Sequence, residues 1–217
     1  IYEPGLKELV GKVTSSGHLV FSSTPQLADA FILAVPTPMG PDKVADLQYV
    51  ESATRSILPY VREGNMVILE STVPPGTVER VVLPILRKSG LNIGSDLFVA
   101  HSPERVLPGR ILIELIDNSR IVGGINEEST RRARDLYASF VRGKILCTDC
   151  TTAEMVKLIE NTFRDINIAY ANELAKICES IGVNVWEAIE LANYHPRVNV
   201  HKPGPGVGGH CIAIDPW

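Results

Sequence analysis

Short apolar runs alternate with stretches of helical periodicity over the first 150 residues. Apolar runs bounded by turn residues are typical of strands buried on both faces, and strands that alternate with amphipathic helices favour a parallel sheet. The pattern predicts an α/β fold with a partial Rossmann-like parallel sheet. The predicted strands are 19–21, 30–35, 66–69, 98–101, 120–123 and 144–147. The predicted helices are 6–13, 24–28, 47–61, 77–88 and 127–141.

The pattern changes after Cys150, where helical spacing continues without a break. Thr151 to Glu154 has the spacing of a capping box, and Gly182 follows the last periodic position. The spacing predicts one helix of about 30 residues, roughly 45 Å long, followed by a short helix at 185–193. An amphipathic helix of this length needs more than one neighbour to cover it, from the sheet or from a second copy of the chain. Its apolar positions are Met155, Ile159, Phe163, Ile166, Tyr170, Leu174, Ile177 and Ile181.

Composition limits the class of protein. A chain of 217 residues with 45% hydrophobic and 21% charged residues is ordinary for a globular protein of one or two domains. The formal net charge of −4 gives no electrostatic footprint for nucleic acid. No apolar run approaches the roughly 18 residues of a membrane span, and the first residues do not resemble a signal peptide. Four cysteines do not suggest a disulfide scaffold, so we expect a cytoplasmic protein with neither nucleic acid nor membrane as partner.

Two cysteines have metal-site spacing. Cys147 and Cys150 form a CxxC pair, which could complete a zinc site with His210 and Cys211. A second CxxC is absent, so we expect no metal, and a redox pair is no better supported.

The end of the chain carries the clearest chemical signal. A run of glycines and prolines from Pro203 leads to His210 and Cys211, and Asp215 follows four residues later. Glycines let backbone N–H groups approach a ligand, and a thiol among such donors can act as a thiolate nucleophile. A glycine-rich loop with an incidental cysteine is the alternative.

Two further sets of polar residues stand at predicted structural positions. Lys157 and Asn161 are four residues apart on the long helix, so their side chains leave the same face; a solvated polar face is the alternative. Thr37, Ser71 and Thr72 follow the ends of predicted strands. Open α/β sheets bind ligands at such ends, although ordinary turn chemistry explains these residues equally well.

Four motifs in order resemble the UDP-glucose/GDP-mannose dehydrogenase family. They are Glu70–Thr77, His101–Gly109, Thr152–Thr162 and Pro203–Pro216. Within this family, Pro-Glu-Arg-Val-Leu-Pro-Gly and the His-Pro-Arg-Val-Asn stretch before Gly-Gly-His-Cys resemble the branch that oxidises UDP-N-acetyl-mannosamine. The resemblance covers essentially all 217 residues.

The family also begins with a Gly-x-Gly-x-x-Gly strand–turn–helix unit and ends in a further nucleotide-sugar domain. This chain opens at Ile1 and stops at Trp217 without either, so we expect a fragment that is inactive by itself. The resemblance divides the chain into the remainder of an NAD-binding domain (1–150), a helical linker that forms a homodimer (151–193) and a catalytic cysteine loop (194–217).

The resemblance implies an NAD-dependent enzyme that oxidises a primary alcohol of a UDP-sugar to a carboxylate in two hydride steps, for surface polysaccharide precursors. Cys211 would attack the intermediate aldehyde, and the resulting thiohemiacetal would be oxidised to a thioester. Lys157 and Asn161 would stabilise negative charge on oxygen, Asp215 would support the lysine and water, and Glu104 would be the general base for hydrolysis.

The same resemblance implies the binding residues. Arg197 would cross the dimer interface to the substrate, and His195 and His210 would read the 2-acetamido group. Thr37, Ser71 and Thr72 would contact the nicotinamide side of NAD. The remaining substrate-binding residues would be Arg105, Val106, Leu107, Gly208 and Gly209.

Three other readings of the chain stay open. A UDP-glucose 6-dehydrogenase is the nearest alternative in substrate, and a non-catalytic binding or assembly fragment is an alternative in class. A zinc protein built on Cys147 and Cys150 is the third.

Overall fold

A computed structural model describes residues 3–209 and 211–217 of the chain. The chain divides into two compact units, one ending at Lys157 and the other beginning at Leu158. The boundary between them lies within a single helix. The boundaries at residues 150 and 193 that the sequence predicts stay predictions, because compactness alone does not define a domain.

The first unit is built on a five-stranded sheet. Neighbouring strands are parallel except for the third and fourth, which are antiparallel. The predicted α/β fold with a Rossmann-like, mostly parallel sheet is therefore confirmed, and the pairing of the third and fourth strands is its one antiparallel departure among the described strands. The strands, in chain order and in sheet order, are β1 (Ala30–Leu33), β2 (Met66–Leu69), β3 (Phe98–His101), β4 (Arg120–Gly124) and β5 (Ile145–Asp149).

The antiparallel pairing decides where β4 begins. Ala100 lies opposite Gly124 and His101 lies opposite Gly123. Because the two strands run in opposite directions, Arg120 at the start of β4 lies beyond the carboxyl end of β3. The start of β4 is therefore brought to the edge of the sheet at which β1, β2 and β3 end.

Helices cover both faces of this sheet. Val67, Leu69 and Val99 point to one face and pack in a cluster with the helix Gln48–Ile57 and the helical segment after β2. Phe98 and Ala100 point to the other face and pack against the helix Glu127–Ala138. The helices that lie wholly within the unit are α1 (Leu6–Ser15), α2 (Gln48–Ile57), α3 (Leu83–Leu86), α4 (Ile111–Asp117) and α5 (Glu127–Ala138).

The helix predicted at 77–88 is present but irregular. A π-helical turn at Val78–Val82 precedes α3, and a 3₁₀ turn at Arg87–Ser89 follows it. Pro84 has no N–H with which to reach the carbonyl of Arg80, so the regular α-helical hydrogen-bond pattern is interrupted there.

Two predicted elements are wrong, and one helix was not predicted. Residues 19–21 form no strand and residues 24–28 form no helix. Val20 and Phe21 are each 74% exposed, so the described part of the chain does not cover this short apolar run and hold it as a strand. The helix α4 was missed because its seven residues are too few to show a period.

The long helix α6 (Cys150–Ile181) begins directly after β5 and has 32 residues. Its first turn is capped by Asp149, whose carboxylate accepts hydrogen bonds from the Thr152 backbone N–H at 2.8 Å and from the Thr152 hydroxyl at 2.7 Å. These bonds lower the pKa of Asp149 below its ordinary value. The predicted capping box from Thr151 to Glu154 is wrong, because Glu154 bonds elsewhere.

The second unit contains the remainder of α6, the helix α7 (Val185–Ala192) and the terminal loop. Gly182 ends α6 at a φ of 74°, and the N–H of Val183 closes the last turn on the Cys178 carbonyl. Seven of the predicted apolar positions of α6 are exposed in the single chain. They are Met155, Ile159, Phe163, Ile166, Tyr170, Ile177 and Ile181.

In the two described stretches of the chain, no helix combines the length and the hydropathy that crossing a membrane requires.

The close approach of β4 to the start of α6 depends on Gly123. A Cβ atom at Gly123 would lie 2.1 Å from the Asp149 carbonyl oxygen and 2.8 Å from the Ala153 Cβ. Gly123→Ala should therefore lower the free energy of unfolding by about 1–3 kcal/mol through overpacking. Urea denaturation measures this change. Gly11→Ala in α1 is the matched control, since no heavy atom lies within 4 Å there. It should leave stability unchanged or raise it by up to about 1 kcal/mol.

Candidate active site

Loops that follow β1 and β2 meet at the carboxyl edge of the sheet. The Ser71 hydroxyl accepts from the Val35 N–H at 2.9 Å and donates to the Val35 carbonyl at 2.7 Å. The Thr37 hydroxyl donates to the Thr72 carbonyl at 2.6 Å. The structure thus brings Thr37, Ser71 and Thr72 together at one edge of the sheet, and their contact with NAD stays a prediction. The hydroxyls of Thr37 and Ser71 hold the two loops to each other, and Thr72 is half-buried at this edge.

The loop after β2 is also tied to the first turns of α6. The Glu154 carboxylate accepts hydrogen bonds from the Gly76 N–H and, at 2.8 Å, from the Val78 N–H. Glu154 is 1% exposed, and burial raises the pKa of its carboxyl, while the two N–H donors oppose the shift. Lys157 follows one turn later on α6 and is half-buried. One buried carboxylate therefore ties the loop after β2 to the turn of α6 that precedes the predicted catalytic Lys157.

Glu104 belongs to a network of charged groups. Its Oε1 accepts from the Arg105 backbone N–H at 2.6 Å, and its Oε2 lies 3.3 Å from Nη1 of Arg120. Nη2 of Arg120 donates to Glu70 at 2.5 Å. The phenol of Tyr137 donates to the same oxygen of Glu70, also at 2.5 Å. One guanidinium thus connects a carboxylate after β2 with a carboxylate after β3.

The cation of this network is buried against an aromatic ring. The Arg120 side chain is 6% exposed, and its guanidinium carbon lies 4.1 Å from the centre of the Tyr137 ring. Burial and the charge of Glu70 raise the pKa of Tyr137, so its phenol stays protonated and keeps donating. A buried cation is stable only when paired and hydrogen-bonded, a condition that Arg120 satisfies.

The loop from Arg105 to Arg110 is held by its backbone. The Leu107 N–H donates to Glu114 at 2.9 Å. The N–H groups of Gly109 and Ile111 each donate to the Glu3 carboxylate at 2.7 Å, which caps α4. Glu3 is buried although it lies more than 100 residues away in the chain. The predicted substrate residues Arg105, Val106 and Leu107 thus stand in a loop that is fixed at both ends, and the Arg105 guanidinium donates to the Ser119 carbonyl at 2.8 Å.

His101, the last residue of β3, is fully buried. Neither ring nitrogen has a hydrogen-bond partner among the described residues. Burial lowers the pKa of His101 to about 4, and the backbone of Leu69 acts in the opposite direction without offsetting it. His101 is therefore neutral at physiological pH.

In the second unit, Asn161 bonds to the predicted partner of the cysteine loop. The Asn161 side-chain amide donates to the Asp215 carboxylate at 2.5 Å, and Asn161 is 5% exposed. The Asp215 N–H donates to the Cys211 carbonyl at 2.9 Å, and Cys211 is exposed. The structure thus joins the turn that begins at Cys211 to the face of α6 that carries Asn161.

The other predicted substrate residues are exposed. The Arg197 guanidinium lies 3.4 Å from the His195 ring, and the loop from Gly204 is held to α6 by a bond from its N–H to the Asn172 side chain. Gly208 and Gly209 are exposed, and Gly209 has a φ of 95°. His210 lies outside the described residues.

The CxxC pair is split between two environments. Cys147 is exposed on β5, whereas Cys150 is buried and donates to the Gly123 carbonyl. Burial raises the pKa of the Cys150 thiol to about 12, with the charge of Glu154 acting in the same direction. Cys150 is therefore not a thiolate at neutral pH. Residues 3–209 and 211–217 contain no group of three metal-ligating side chains, and the zinc reading that needs His210 falls outside them.

Two models of one protein family match the chain. The NAD binding domain of the UDP-glucose/GDP-mannose dehydrogenase family matches residues 1–141, and the central domain of that family matches residues 151–217. The chain belongs to the UDP-glucose/GDP-mannose dehydrogenase family. The resemblance read from the four sequence motifs is thereby confirmed.

Individual members of the family resemble the chain over its whole length. A UDP-N-acetyl-D-mannosamine dehydrogenase from Methanococcus vannielii is 57% identical over all of this chain and 50% of its own length. An NDP-N-acetyl-D-galactosaminuronic acid dehydrogenase from Ralstonia solanacearum is 52% identical over all of this chain and 53% of its own. The solved structure of a UDP-D-ManNAc dehydrogenase from Pyrococcus horikoshii is 50% identical, with a TM-score of 0.95, and 52% of that chain is covered. The chain spans about half the length of the curated relatives it matches.

Sequence reasoning missed several residues that hold these loops and charged groups in place. Glu70 and His101 stand inside the quoted motifs, but nothing in those motifs shows their partners or their burial. Arg120 and Glu3 have no local signal, since each acts on a segment distant in the chain. Glu154 was noticed only as a cap.

The buried His101 predicts a dependence of stability on pH. The unfolded chain takes up a proton near pH 6.5, whereas the folded protein takes it up only near pH 4. The contribution of the neutral His101 to the free energy of unfolding is fully present above pH 6.5. It is lost as the pH falls toward 4, so that the free energy of unfolding decreases by about 3 kcal/mol. His101→Leu should remove this component when urea unfolding is measured at pH 7 and pH 4.5. The exposed His18 supplies the control: His18→Ala should retain the original pH dependence, and an unchanged dependence in His101→Leu would contradict the assignment.

Proposed function

We propose that this chain is part of an NAD-dependent dehydrogenase that oxidises the primary alcohol of UDP-N-acetyl-D-mannosamine to the carboxylate. The observation that carries the proposal is the bond from Asn161 to Asp215, which connects the cysteine loop to the helix of Lys157. The 57% identity to a UDP-N-acetyl-D-mannosamine dehydrogenase supports the choice of sugar. A cytoplasmic role in making precursors of surface polysaccharides is part of the proposal.

The residues described fit the nicotinamide side of the cofactor. Thr37, Ser71 and Thr72 lie in two bonded loops at the carboxyl edge of parallel strands, where dinucleotides bind in open α/β sheets. NAD, when bound, accepts a hydride in each of the two oxidations. Ser71 and Thr37 keep the loops in place, and Thr72 is the contact residue on this surface.

The chain's own residues then have the following roles. The Cys211 thiolate adds to the carbonyl carbon of the aldehyde, which forms a thiohemiacetal whose oxygen carries negative charge. Lys157 donates from an ammonium and Asn161 from an amide, and both stabilise that oxygen. Loss of the second hydride from the same carbon leaves a thioester on the Cys211 sulfur.

Hydrolysis completes the reaction. A water oxygen bonds to the acyl carbon, its proton passes to the Glu104 carboxylate, and the carbon–sulfur bond breaks with the electron pair leaving on sulfur. Asp215, held by Asn161, supports the lysine and water. The backbone from Arg105 to Leu107 is the surface proposed for the sugar, with His195, Gly208, Gly209 and His210 near the acetamido group.

We further propose a homodimer formed through α6. The seven exposed apolar side chains of this helix recur at intervals of three, four and seven residues, as in a helix that packs on another helix. Arg197 would reach the substrate of the other subunit, where a guanidinium suits hydroxyl and phosphate groups.

The name of one relative supports a second candidate sugar, N-acetyl-D-galactosamine. The relative from Ralstonia solanacearum is 52% identical and is named for N-acetyl-D-galactosaminuronic acid. UDP-glucose is a third candidate. Rates of NADH formation by the complete gene product with the UDP forms of all three sugars decide among them, and a preference for either alternative would contradict the mannosamine assignment.

If the proposed covalent step is correct, replacing the Cys211 sulfur by oxygen should stop the reaction. In the complete gene product, Cys211→Ser should lower acid formation at least about 1000-fold, because a neutral hydroxyl replaces the nucleophile. Cys147→Ser is the control and should leave the rate unchanged, since Cys147 is exposed on β5. Coupled assays of NADH and of the uronate product measure both. Full four-electron turnover by Cys211→Ser would rule out the thioester route, and absence of any oxidation by the unaltered enzyme would leave a binding or assembly role.

The dimer proposal predicts a change of mass in solution. Phe163→Glu and Ile166→Glu each place a charge in the apolar face of α6, so either should shift the sedimentation equilibrium toward monomer. Glu179→Lys changes an exposed residue off that face and should leave the dimer intact. An unaltered protein that is monomeric throughout a wide concentration range would contradict the proposal.

A further inference from the structure

Arg120 stands outside all the motifs that point to the reaction, yet it contacts the proposed base. Its side chain donates to three separate segments: Nε to the Ser102 hydroxyl at 2.9 Å, Nη2 to Glu70 at 2.5 Å and Nη1 to Glu104 at 3.3 Å. The Ser102 contact lies within the usual range for an N–H···O bond, the Glu70 contact is shorter than that range, and the Glu104 contact is an ion pair just beyond it. The guanidinium is therefore fixed by Ser102 and Glu70, and Glu104 forms its ion pair with a group that is already held in place.

The remaining surroundings prevent Arg120 from following Glu104 if that side chain moves. The Tyr137 ring lies against the guanidinium, and the Ser102 hydroxyl is itself bonded to the Ile121 carbonyl at 2.9 Å. A planar guanidinium keeps its donors in fixed relative directions. Glu104 must consequently adapt to Arg120.

The two contacts described for Glu104 leave its carboxylate able to accept a proton from water. Its Oε1 is held by the Arg105 N–H and its Oε2 by Arg120, and an ionised carboxylate has about four acceptor sites. Counted over the described residues, each oxygen therefore retains an acceptor site for a water molecule. Arg120 restricts the position of the Glu104 carboxylate without occupying all of its acceptor sites.

We propose that Arg120 is a positioning residue for hydrolysis of the thioester. It holds the Glu104 carboxylate where that group takes a proton from the attacking water. The inference rests on the proposed function, because it concerns the last step of that reaction. The two oxidations do not require a proton to pass to Glu104, so Arg120 affects the step in which water attacks the acyl carbon and the bond to the Cys211 sulfur breaks.

This separation of steps makes the role measurable. If only hydrolysis slows, the enzyme forms two NADH per active site and then stops with its sugar acid attached to Cys211. If Arg120 merely supports the fold, its replacement lowers the amplitude of the first NADH burst and the later rate in proportion. Intact-mass spectrometry of the quenched enzyme distinguishes a covalent adduct from a free thiol.

The experiment uses the complete gene product with NAD and UDP-N-acetyl-D-mannosamine. Arg120→Lys keeps the charge but cannot reach all three partners. It should retain the burst, slow steady turnover by about 10- to 100-fold and accumulate the adduct. Tyr137→Phe is the matched control: it removes a buried hydrogen bond to Glu70 from the same network and keeps the aromatic ring against Arg120. It should be less stable to urea but accumulate no adduct.

Glu104→Gln separates failure of the inference from failure of the proposed function. It should accumulate the adduct by itself, and Arg120→Lys should add little in the double variant, since both act on one step. No adduct in Glu104→Gln would contradict the proposed mechanism. An adduct in Glu104→Gln with none in Arg120→Lys would overturn the role of Arg120 alone.

A second variant covers the case in which Arg120→Lys does not fold. Ser102→Ala removes the partner of Nε and leaves the buried charge paired with both carboxylates. It should accumulate the adduct to a smaller extent with the burst retained. A folded Ser102→Ala enzyme with a free thiol at every time point would count against the proposal.

Discussion

The reversed direction of β4 is the constraint on which the charged half of the site depends. In a sheet with all strands parallel, the first residue of β4 would lie at the edge opposite to the last residues of β2 and β3. Because β4 is antiparallel to β3, Arg120 lies at the same edge as Glu70 and Glu104. One strand reversal thus supplies the cation that two carboxylates require.

The same reversal determines how the long helix leaves the sheet. β5 follows β4 in direction, with Gly123 opposite Thr148 and Gly124 opposite Asp149. The helix α6 therefore begins against the end of β4, where Gly123 has no side chain to obstruct it. Glu154, one turn into the helix, can then reach the N–H groups of the loop after β2. Burying that carboxylate costs free energy, and its two hydrogen bonds offset much of the cost.

The sequence predicts the elements whose signal is local. The strands at 66–69 and 98–101 have the predicted bounds, because each is an apolar run between turn residues. The run at 19–21 has the same composition but is not covered by the described part of the chain, so composition alone misleads there. The capping box at Thr151 failed for a related reason: Asp149 was a better cap, and Glu154 had a partner 76 residues away at Val78.

The residues of the candidate site show the same difference between features with a local sequence signal and features that depend on distant contacts. The pairing of Asn161 with Asp215 agrees with the sequence expectation that both serve one centre, although their roles remain predictions. Glu104 could be named from its motif, whereas Arg120 could not, since its position depends on a strand direction that periodicity does not reveal. The ring nitrogens of His101 are buried without a hydrogen-bond partner among the described residues, which no polar motif would suggest.

The network around Arg120 also restricts which single substitutions the protein can tolerate during evolution. Loss of the guanidinium alone strands the Glu70 carboxylate in a site where it is largely shielded from water, and loss of Glu70 alone strands the guanidinium. Neutral single-step paths away from this arrangement are therefore closed, and a lineage that abandons it must replace both members at nearly the same time. Apolar substitution of the pair could preserve the fold, but it would leave Glu104 without its anchor.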